Sequence, residues 1–261
     1  MAIEDDEKYV IPNLRNACRV LKLIGQENKG LKVADLARRL KIPSTTTLRI
    51  VHTLVTEGLL RREENQVFLG PVLIHLGART SADTEIRELA QPVLESLSLA
   101  TDETSHLALP CDDRSLIVAV RDSPHPLRAA SSPGTMAELY YSSTGKVFLA
   151  FLHANRIEAI LQRYPARPRT SRSLTTAAEL TAEVARVREQ GYGLDDEEFH
   201  PGVRCLAAPV TGSHGEVVAA IGITAAAVRF TRERIPEIAA HVQRAARDLS
   251  AVLGHAHLGG H

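Results

Sequence analysis

Ser143-Thr144-Gly145-Lys146 places a serine three residues ahead of a lysine, the S-x-x-K spacing with which some acyl-transfer enzymes set a serine nucleophile beside a basic amine. The companion S-D-N and K-T-G motifs are missing from the chain, so that chemistry lacks its other parts. A phosphate-binding loop shares the Gly-Lys pair, but it needs glycine at 140 and a hydroxyl at 147, where the chain has Tyr140 and Val147. Cys205 would act as a nucleophile only with a histidine and an orienting group around it. His200 and His106 are the available partners, yet inside the strand-like VRCLAAPV a small buried side chain is the commoner role. Asp195, Cys205 and a histidine together could hold a metal, but nothing in their spacing requires one, so neither a metal nor a cofactor nor a catalytic residue is expected.

A second set of residues suggests different chemistry. In IPSTTTLRIVHTLVTEGLL, three consecutive threonines, Thr45 to Thr47, stand where a helix begins, although β-branched side chains lose freedom in helices. Pro43 breaks the preceding pattern, and Ser44 is a candidate N-cap, because its hydroxyl can accept from an unpaired amide of the first turn. Leu48, Val51, Leu54 and Val55 then recur at helical steps until Gly58. Hydroxyls presented from a helix start, where free amides and a partial positive charge attract anions, suit a phosphate backbone. Charge agrees. The chain carries 31 basic and 31 acidic residues, but Ile11 to Gly70 holds eleven basic residues against five acidic ones, leaving the remainder negative. Such a split points to a polyanionic partner for the N-terminal part.

The surrounding elements tell where those residues sit. Residues 13–24 and VADLARRL (33–40) read as amphipathic helices ahead of the STTT helix, and LLRREENQVFLG reads as a hairpin with a basic tip. Three helices and a hairpin make a winged helix-turn-helix, whose third helix enters the major groove. On that reading Thr45, Thr46 and Leu48, with Thr47 in the same turn, are placed to reach bases, while Lys41, Ser44, Arg49, Arg61 and Arg62 contact phosphates. Residues 71–81 continue as a linker helix. From Glu85 a helix carries Pro92 near its beginning, two strands (ETSHLALP and SLIVAVRD) flank an Asp-Asp turn, and a Ser/Pro/Gly-rich loop runs to the helix KVFLAFL. Helices over 154–163 and 176–190, strands in GYGLDDEEF, GVRCLAAPV and EVVAAIGITAAA, and a final helix from Arg232 to about Leu253 complete an α+β domain with an antiparallel sheet.

The expected organisation is a mobile acidic tail over 1–10, the DNA-binding head over 11–70, a linker helix over 71–83, the second domain over 84–254 and a flexible tail over 255–261. The tail's loosely spaced histidines read as a frayed end rather than a metal site. Three separated cysteines, Cys18, Cys111 and Cys205, supply neither a zinc pair nor a disulfide framework, and no apolar run approaches a membrane span. A reducing, cytoplasmic setting without membrane contact is expected.

Two stretches together resemble the IclR family of bacterial transcription regulators: LKVADLARRLKIPSTTTLRIVHTLVTEGLLRREENQVFLG, close to the family's helix-turn-helix and wing, and, further on, YYSSTGKVFLAFL with GYGLDDEEFHPGVRCLAAPV. The likeness spans roughly residues 11–250. It implies self-association to a dimer or tetramer, a winged helix-turn-helix that binds double-stranded operator DNA, and a GAF-like C-terminal domain that binds a small organic effector. Carried over by position, the effector pocket would be lined by Ala129, Ala137, Ser143, Thr144, Asp195, Cys205, Gly222 and Thr224, with the amides of Ser142 to Gly145 holding a carboxylate. Tyr140 and Tyr141 replace smaller or imidazole-bearing family residues, and a tyrosine at the pocket edge implies an aromatic or larger effector unless both rings simply pack. A second hypothesis stays open here: an enzyme or sensor whose helical head only mediates dimerisation.

Overall fold

The computed structural model describes residues 9–27, 29–77 and 81–256, without side chains for 81–84, 255 and 256. Most of the expected mobile tail, and His257 and His261 of the C-terminal tail, therefore lie outside the described residues, while the last helix reaches Ala256, two residues into the stretch expected as flexible. The chain divides into two compact units between Thr84 and Glu85.

The first unit holds α1 (Pro12–Gly25), α2 (Val33–Leu40), α3 (Ser44–Thr56), a hairpin of β1 (Leu60–Glu63) and β2 (Gln66–Leu69), and the short α4 (Val72–Gly77). Its core is small and aliphatic: Val20 and Ile24 of α1, Leu36 of α2, Ile50, Val51 and Leu54 of α3, and Leu60 and Val67 of the hairpin. Leu31 bridges to Val67, so the α1–α2 connector adds a third extended segment beside the wing. Between α2 and α3 the chain turns at Lys41, whose left-handed backbone (φ 54°) closes α2. Pro43 then takes the extended conformation that starts α3.

Two expectations about α3 are corrected. The residue that caps it is Pro43, and Ser44 is already its first helical residue, with no side-chain cap. Nor do all three threonines face outward: Thr47 is fully buried, and its hydroxyl returns to the Pro43 carbonyl at 3.1 Å. Such back-bonding satisfies the hydroxyl without a cap and makes the β-branched run acceptable to the helix. The buried stripe is therefore Thr47, Ile50, Val51 and Leu54, one residue out of phase with the expected one, and Leu48 is 50 % exposed.

The second unit starts within α5 (Ser81–Thr101), which contains Pro92 as expected, but at its middle rather than near its beginning. Then come β3 (Thr104–Cys111), β4 (Arg114–Arg121), β5 (Met136–Glu138), α6 (Ser143–Leu152), α7 (Ile157–Arg163), α8 (Ala177–Gln190), β6 (Gly193–Asp196), β7 (Val203–Thr211), β8 (Val217–Ala226) and α9 (Ile235–Ala256). The six strands form one antiparallel sheet in the order β5-β4-β3-β8-β7-β6. Strand β5, inside the expected long loop, is three residues long and escapes periodicity. Alternation along the strands divides two cores. Leu107, Leu206, Ala208, Ile221 and Ile223 pack under α5 and α9, while Ala108, Ala207 and Ala220 face α6 and α8. The small residues on the second face let α6 lie close. At Gly222 an added Cβ would fall 2.3 Å from the Leu206 carbonyl oxygen, so only glycine fits there.

Candidate functional site

The first unit presents one helix face without core contacts. Ser44, Thr45, Leu48, Arg49, His52, Thr53 and Thr56 are exposed along α3, Thr46 is half-buried, and Thr45, Leu48/Arg49, His52 and Thr56 fall on one side at steps of three or four. His52 is a member of that face missed by the sequence reading; counting on from Leu48 and Arg49 by the same steps would have found it. The local positive charge is partly spent within the unit. Arg38 pairs with Asp35, Arg39 with Glu27 and Arg61 with Glu63, and Arg61 also lies over the Phe68 ring. Of the cations expected at DNA, Lys41, Arg49 and Arg62 make no ion pair among the described residues, as is also true of Arg19, Lys22, Lys29 and Lys32, so all of these are able to meet a polyanion.

Thr45 and Thr47 now predict different things. Thr47→Val keeps the shape and removes one hydroxyl, so it should lower stability by about 1 kcal/mol and leave DNA sequence preference unchanged. Thr45→Ala should leave the unfolding midpoint within about 0.5 kcal/mol and alter the ranking of operator variants. Denaturant titration and competition binding read the two effects separately; a specificity change in Thr47→Val would contradict this assignment.

In the second unit a cavity of about 370 Å³ lies on the α6 side of the sheet. Its walls are His106 of β3, Ile117 of β4, Ala137 of β5, Val203 and Cys205 of β7, Thr224 of β8 and Asp195 of β6, closed by the start of α6 and by residues 129–132. Seven of the ten expected pocket residues meet here: Ala129, Ala137, Ser143, Thr144, Asp195, Cys205 and Thr224. Three do not. Gly222 serves the close strand approach described above. Gly145 is pressed against the turn before α6, where a Cβ would lie 2.7 Å from the Leu139 Cα, and its amide donates to the Ser142 cap at 3.1 Å. Tyr140 is buried in the α6–α8 core; its hydroxyl donates to the Tyr164 carbonyl at 2.8 Å, its ring meets Tyr141 edge-on, and burial pushes its pKa up to about 12. Tyr141 donates likewise to the Arg167 carbonyl, so the tyrosine pair pins the 164–167 segment. The aromatic wall is instead Phe199, with His106 and His200 as further lining residues.

The polar groups of the cavity form a connected set. The Thr224 hydroxyl oxygen accepts from Ser131 (3.2 Å) and from the Cys205 thiol (3.4 Å), and it lies 3.4 Å from His106 Nδ1. With both incoming protons supplied by its neighbours, Thr224 has its own proton to give to Nδ1, which leaves Nε2–H of a neutral imidazole as a donor. Burial agrees, lowering His106 to about 4. At the other side Thr144 and Ser115 share a hydroxyl bond of 2.8 Å. Ser142 caps α6, and because its side chain takes the Gly145 amide, the first-turn amides of Ser143 and Thr144 are left without a partner in the chain. Asp195 Oδ1 accepts the amides of Glu198 (2.7 Å) and Phe199 (3.2 Å), and burial raises its pKa to about 6 against those bonds.

The enzymatic readings find no geometry. Lys146 Nζ turns away from Ser143 into a buried pocket, donating to Glu183 Oε1 (3.0 Å), Glu198 Oε1 (2.6 Å) and the Leu194 carbonyl (2.7 Å). Burial pushes the Cys205 thiol well above its usual pKa, and its proton goes to Thr224 rather than to a histidine. Among the described residues no group of three or more His, Cys, Asp or Glu side chains is arranged to hold a metal ion.

Comparison with known proteins agrees with both halves. Residues 14–64 match the IclR helix-turn-helix domain, and residues 78–251 match the bacterial transcriptional regulator IclR C-terminal domain. The HTH-type transcriptional regulator KdgR of Escherichia coli is 33 % identical over 238 residues, covering 90 % of each chain. The crystal structure of an IclR transcriptional regulator from Alicyclobacillus acidocaldarius aligns with a TM-score of 0.78 at 27 % identity, over 93 % of this chain and 99 % of that one. An IclR homologue from Microbacterium hydrocarbonoxydans, solved with 4-hydroxybenzoate, has the same fold, with a TM-score of 0.77 at 22 % identity over 92 % and 98 % of the two chains. A head with an open helix face, a second domain with a cavity carrying a few convergent polar groups, and a family match over each of them agree: the chain belongs to the IclR family, and it is a ligand-responsive bacterial transcriptional regulator.

Proposed function

We propose that this regulator binds a pseudo-palindromic operator as a dimer or tetramer, and that a small organic acid in the C-terminal cavity sets its affinity for DNA. Two heads would read half-sites whose major-groove centres lie about 34 Å apart. Thr45, Thr46, Leu48 and His52 would face base edges, and Ser44, Lys41, Arg49 and Arg62 phosphates, with Arg61 a weaker contributor because Glu63 and Phe68 already hold it. The observation that carries the effector reading is the pair of unpartnered amides, Ser143 and Thr144, at the start of a ten-residue helix that lines the cavity. Such amides hold a carboxylate without a cation. The 4-hydroxybenzoate seen with a homologue of the same fold is an acid of this kind, and Phe199 gives an aromatic acid a ring to pack against.

The protein acts by binding rather than catalysis, since neither Ser143 nor Cys205 has a base. It works in the cytoplasm, where its DNA is; no helix among the described residues is long and apolar enough to cross a membrane. An effector moves DNA affinity only by its differential affinity for two arrangements of the oligomer. The test is a mobility shift on the DNA upstream of the chain's own gene, repeated with glyoxylate, pyruvate, benzoate and 4-hydroxybenzoate. A shift whose midpoint moves at least fivefold with one of these acids is expected; no shift at low salt would remove the proposal. A parallel thermal-shift panel separates aliphatic from aromatic acids, and stabilisation by glyoxylate or pyruvate alone would rule out the aromatic preference.

A further inference from the structure

The cavity's charge is unusual for an anion site. Among the described residues that line it there is no lysine or arginine, and there is one carboxyl, Asp195, 1 % exposed. An ionised Asp195 and a bound carboxylate would then be two anions side by side, and Asp195 is itself cut off from water, a costly arrangement at low dielectric. We propose that the organic-acid effector enters together with one proton, which resides on Asp195, so that Asp195 meets the ligand as a hydrogen-bond donor and selects for an acceptor-rich acid. This rests on the reading of the cavity as a carboxylate site.

The surroundings support that location for the proton. Oδ1 is taken by two backbone amides, so Oδ2 is the oxygen that can carry a proton toward the ligand. From α6, the Lys146 ammonium attracts an ionised Asp195, but its three protons are committed to Glu183, Glu198 and the Leu194 carbonyl. From β7, Cys205 is a neutral thiol whose hydrogen bond to Asp195 favours the ionised carboxylate, though less than burial disfavours it, and Arg204 faces the other side of the strand, bonded to Asp196 at 2.7 Å. From the loop after β6, Glu198, itself raised to about 7 by burial, opposes an ionised Asp195 only when it too is charged, and the exposed His200 lines the cavity mouth. From β3, His106 is held neutral by burial, and β8 contributes only the Thr224 hydroxyl. The free protein already lies close to this switch, because burial places Asp195 at about 6. The sign follows. Below about pH 6 the proton is present and binding has its full strength; above it each pH unit should weaken the acid by about tenfold, since the proton must be taken from solvent.

Calorimetry of the full-length protein with whichever of glyoxylate, pyruvate, benzoate or 4-hydroxybenzoate binds best, in PIPES and in Tris at pH 7.5, counts the protons from the buffer dependence of the heat. Uptake of about one proton is expected, with affinity falling about tenfold per unit from pH 7 to 9. Asp195→Asn retains an acceptor for the two amides and presents an N–H donor permanently. It should take up no proton, bind with flat pH dependence, and exceed the wild type at pH 8.5. Wild-type binding without proton uptake overturns the proposal whatever the variant does. Uptake that persists in Asp195→Asn overturns it too, moving the proton to Glu198, His106 or His200. No binding by any of the four acids at any pH instead removes the carboxylate reading on which the proposal stands.

Discussion

Lys146→Met should cost the C-terminal unit about 3–5 kcal/mol, lowering its unfolding midpoint by about 10 °C, because it breaks a buried ion pair and leaves carboxyls without their cation. Lys146 is 1 % exposed, and its ammonium holds Glu183 of α8 and Glu198 of the loop after β6, so one side chain joins three segments. Glu183 would keep Arg186 at 3.1 Å. Glu198 would keep nothing for its side chain: Oε2 is already buried without a partner. Its pKa is raised to about 7, first by burial and against the pull of Lys146. A carboxyl whose folded pKa lies above its unfolded value stabilises fully below about pH 4.5, and that contribution is lost as pH rises through about 7. Without Lys146 the folded pKa moves higher still, so the deficit of Lys146→Met should be smaller at pH 5 than at pH 8. Adding Glu198→Gln should recover part of the loss and flatten the pH dependence. Thermal and denaturant unfolding at both pH values measures this, and a deficit below about 1 kcal/mol at pH 8 would mean that water reaches the cluster.

That cluster also marks the limit of what could be read without coordinates. The STGK stretch showed that something polar begins a helix there, but it gave Lys146 no partner other than Ser143, because its true partners lie 37 and 52 residues away. No local pattern encodes such a pairing. Local physics did encode the head: α1, α2, α3 and the hairpin each carry their own periodicity and their own stop, at Gly25, Lys41-Ile42-Pro43 and Gly58. The phase of α3 was the exception. Threonine passes as polar in a hydrophobic count, yet Thr47 satisfies its hydroxyl within the helix and packs like valine. Tyr140 failed for the complementary reason, since a ring with one polar atom fits a core wherever a carbonyl is in reach, here Tyr164. The cavity residues were placed by family likeness rather than by pattern. Phe199, which neither likeness nor pattern supplied, and His106, singled out only as a partner for Cys205, take their place as lining residues once β3 and the loop after β6 come to the same cavity.

The affinity of the regulator for its operator should fall about 10³-fold between 50 and 200 mM salt. Of the cations of each head that make no ion pair, the three proposed to meet phosphate are Lys41, Arg49 and Arg62, so the proposed two heads would displace about six counterions, and the logarithmic slope on salt is roughly −5. Arg62→Ala removes one contact per head and should make that slope shallower by about two, weakening all sequences alike, because phosphate contacts position without specifying. Arg61→Ala should do less, since that guanidinium is engaged with Glu63 and stacked on Phe68 in the free protein and must leave them to meet DNA. Fluorescence anisotropy over a salt series with operator and scrambled duplexes reads both quantities. Equal slopes for wild type and Arg62→Ala would take the wing off the backbone. The same series bears on specificity, for the exposed side of α3 offers Thr45, Leu48 and His52 but neither asparagine nor glutamine, and its one arginine, Arg49, is assigned to phosphate. Short hydroxyls and a single imidazole make few unambiguous bonds to base edges. Discrimination between operator and scrambled DNA should therefore rest largely on groove shape and bridging water, and should survive any single substitution on that face better than the salt slope survives the loss of Arg62.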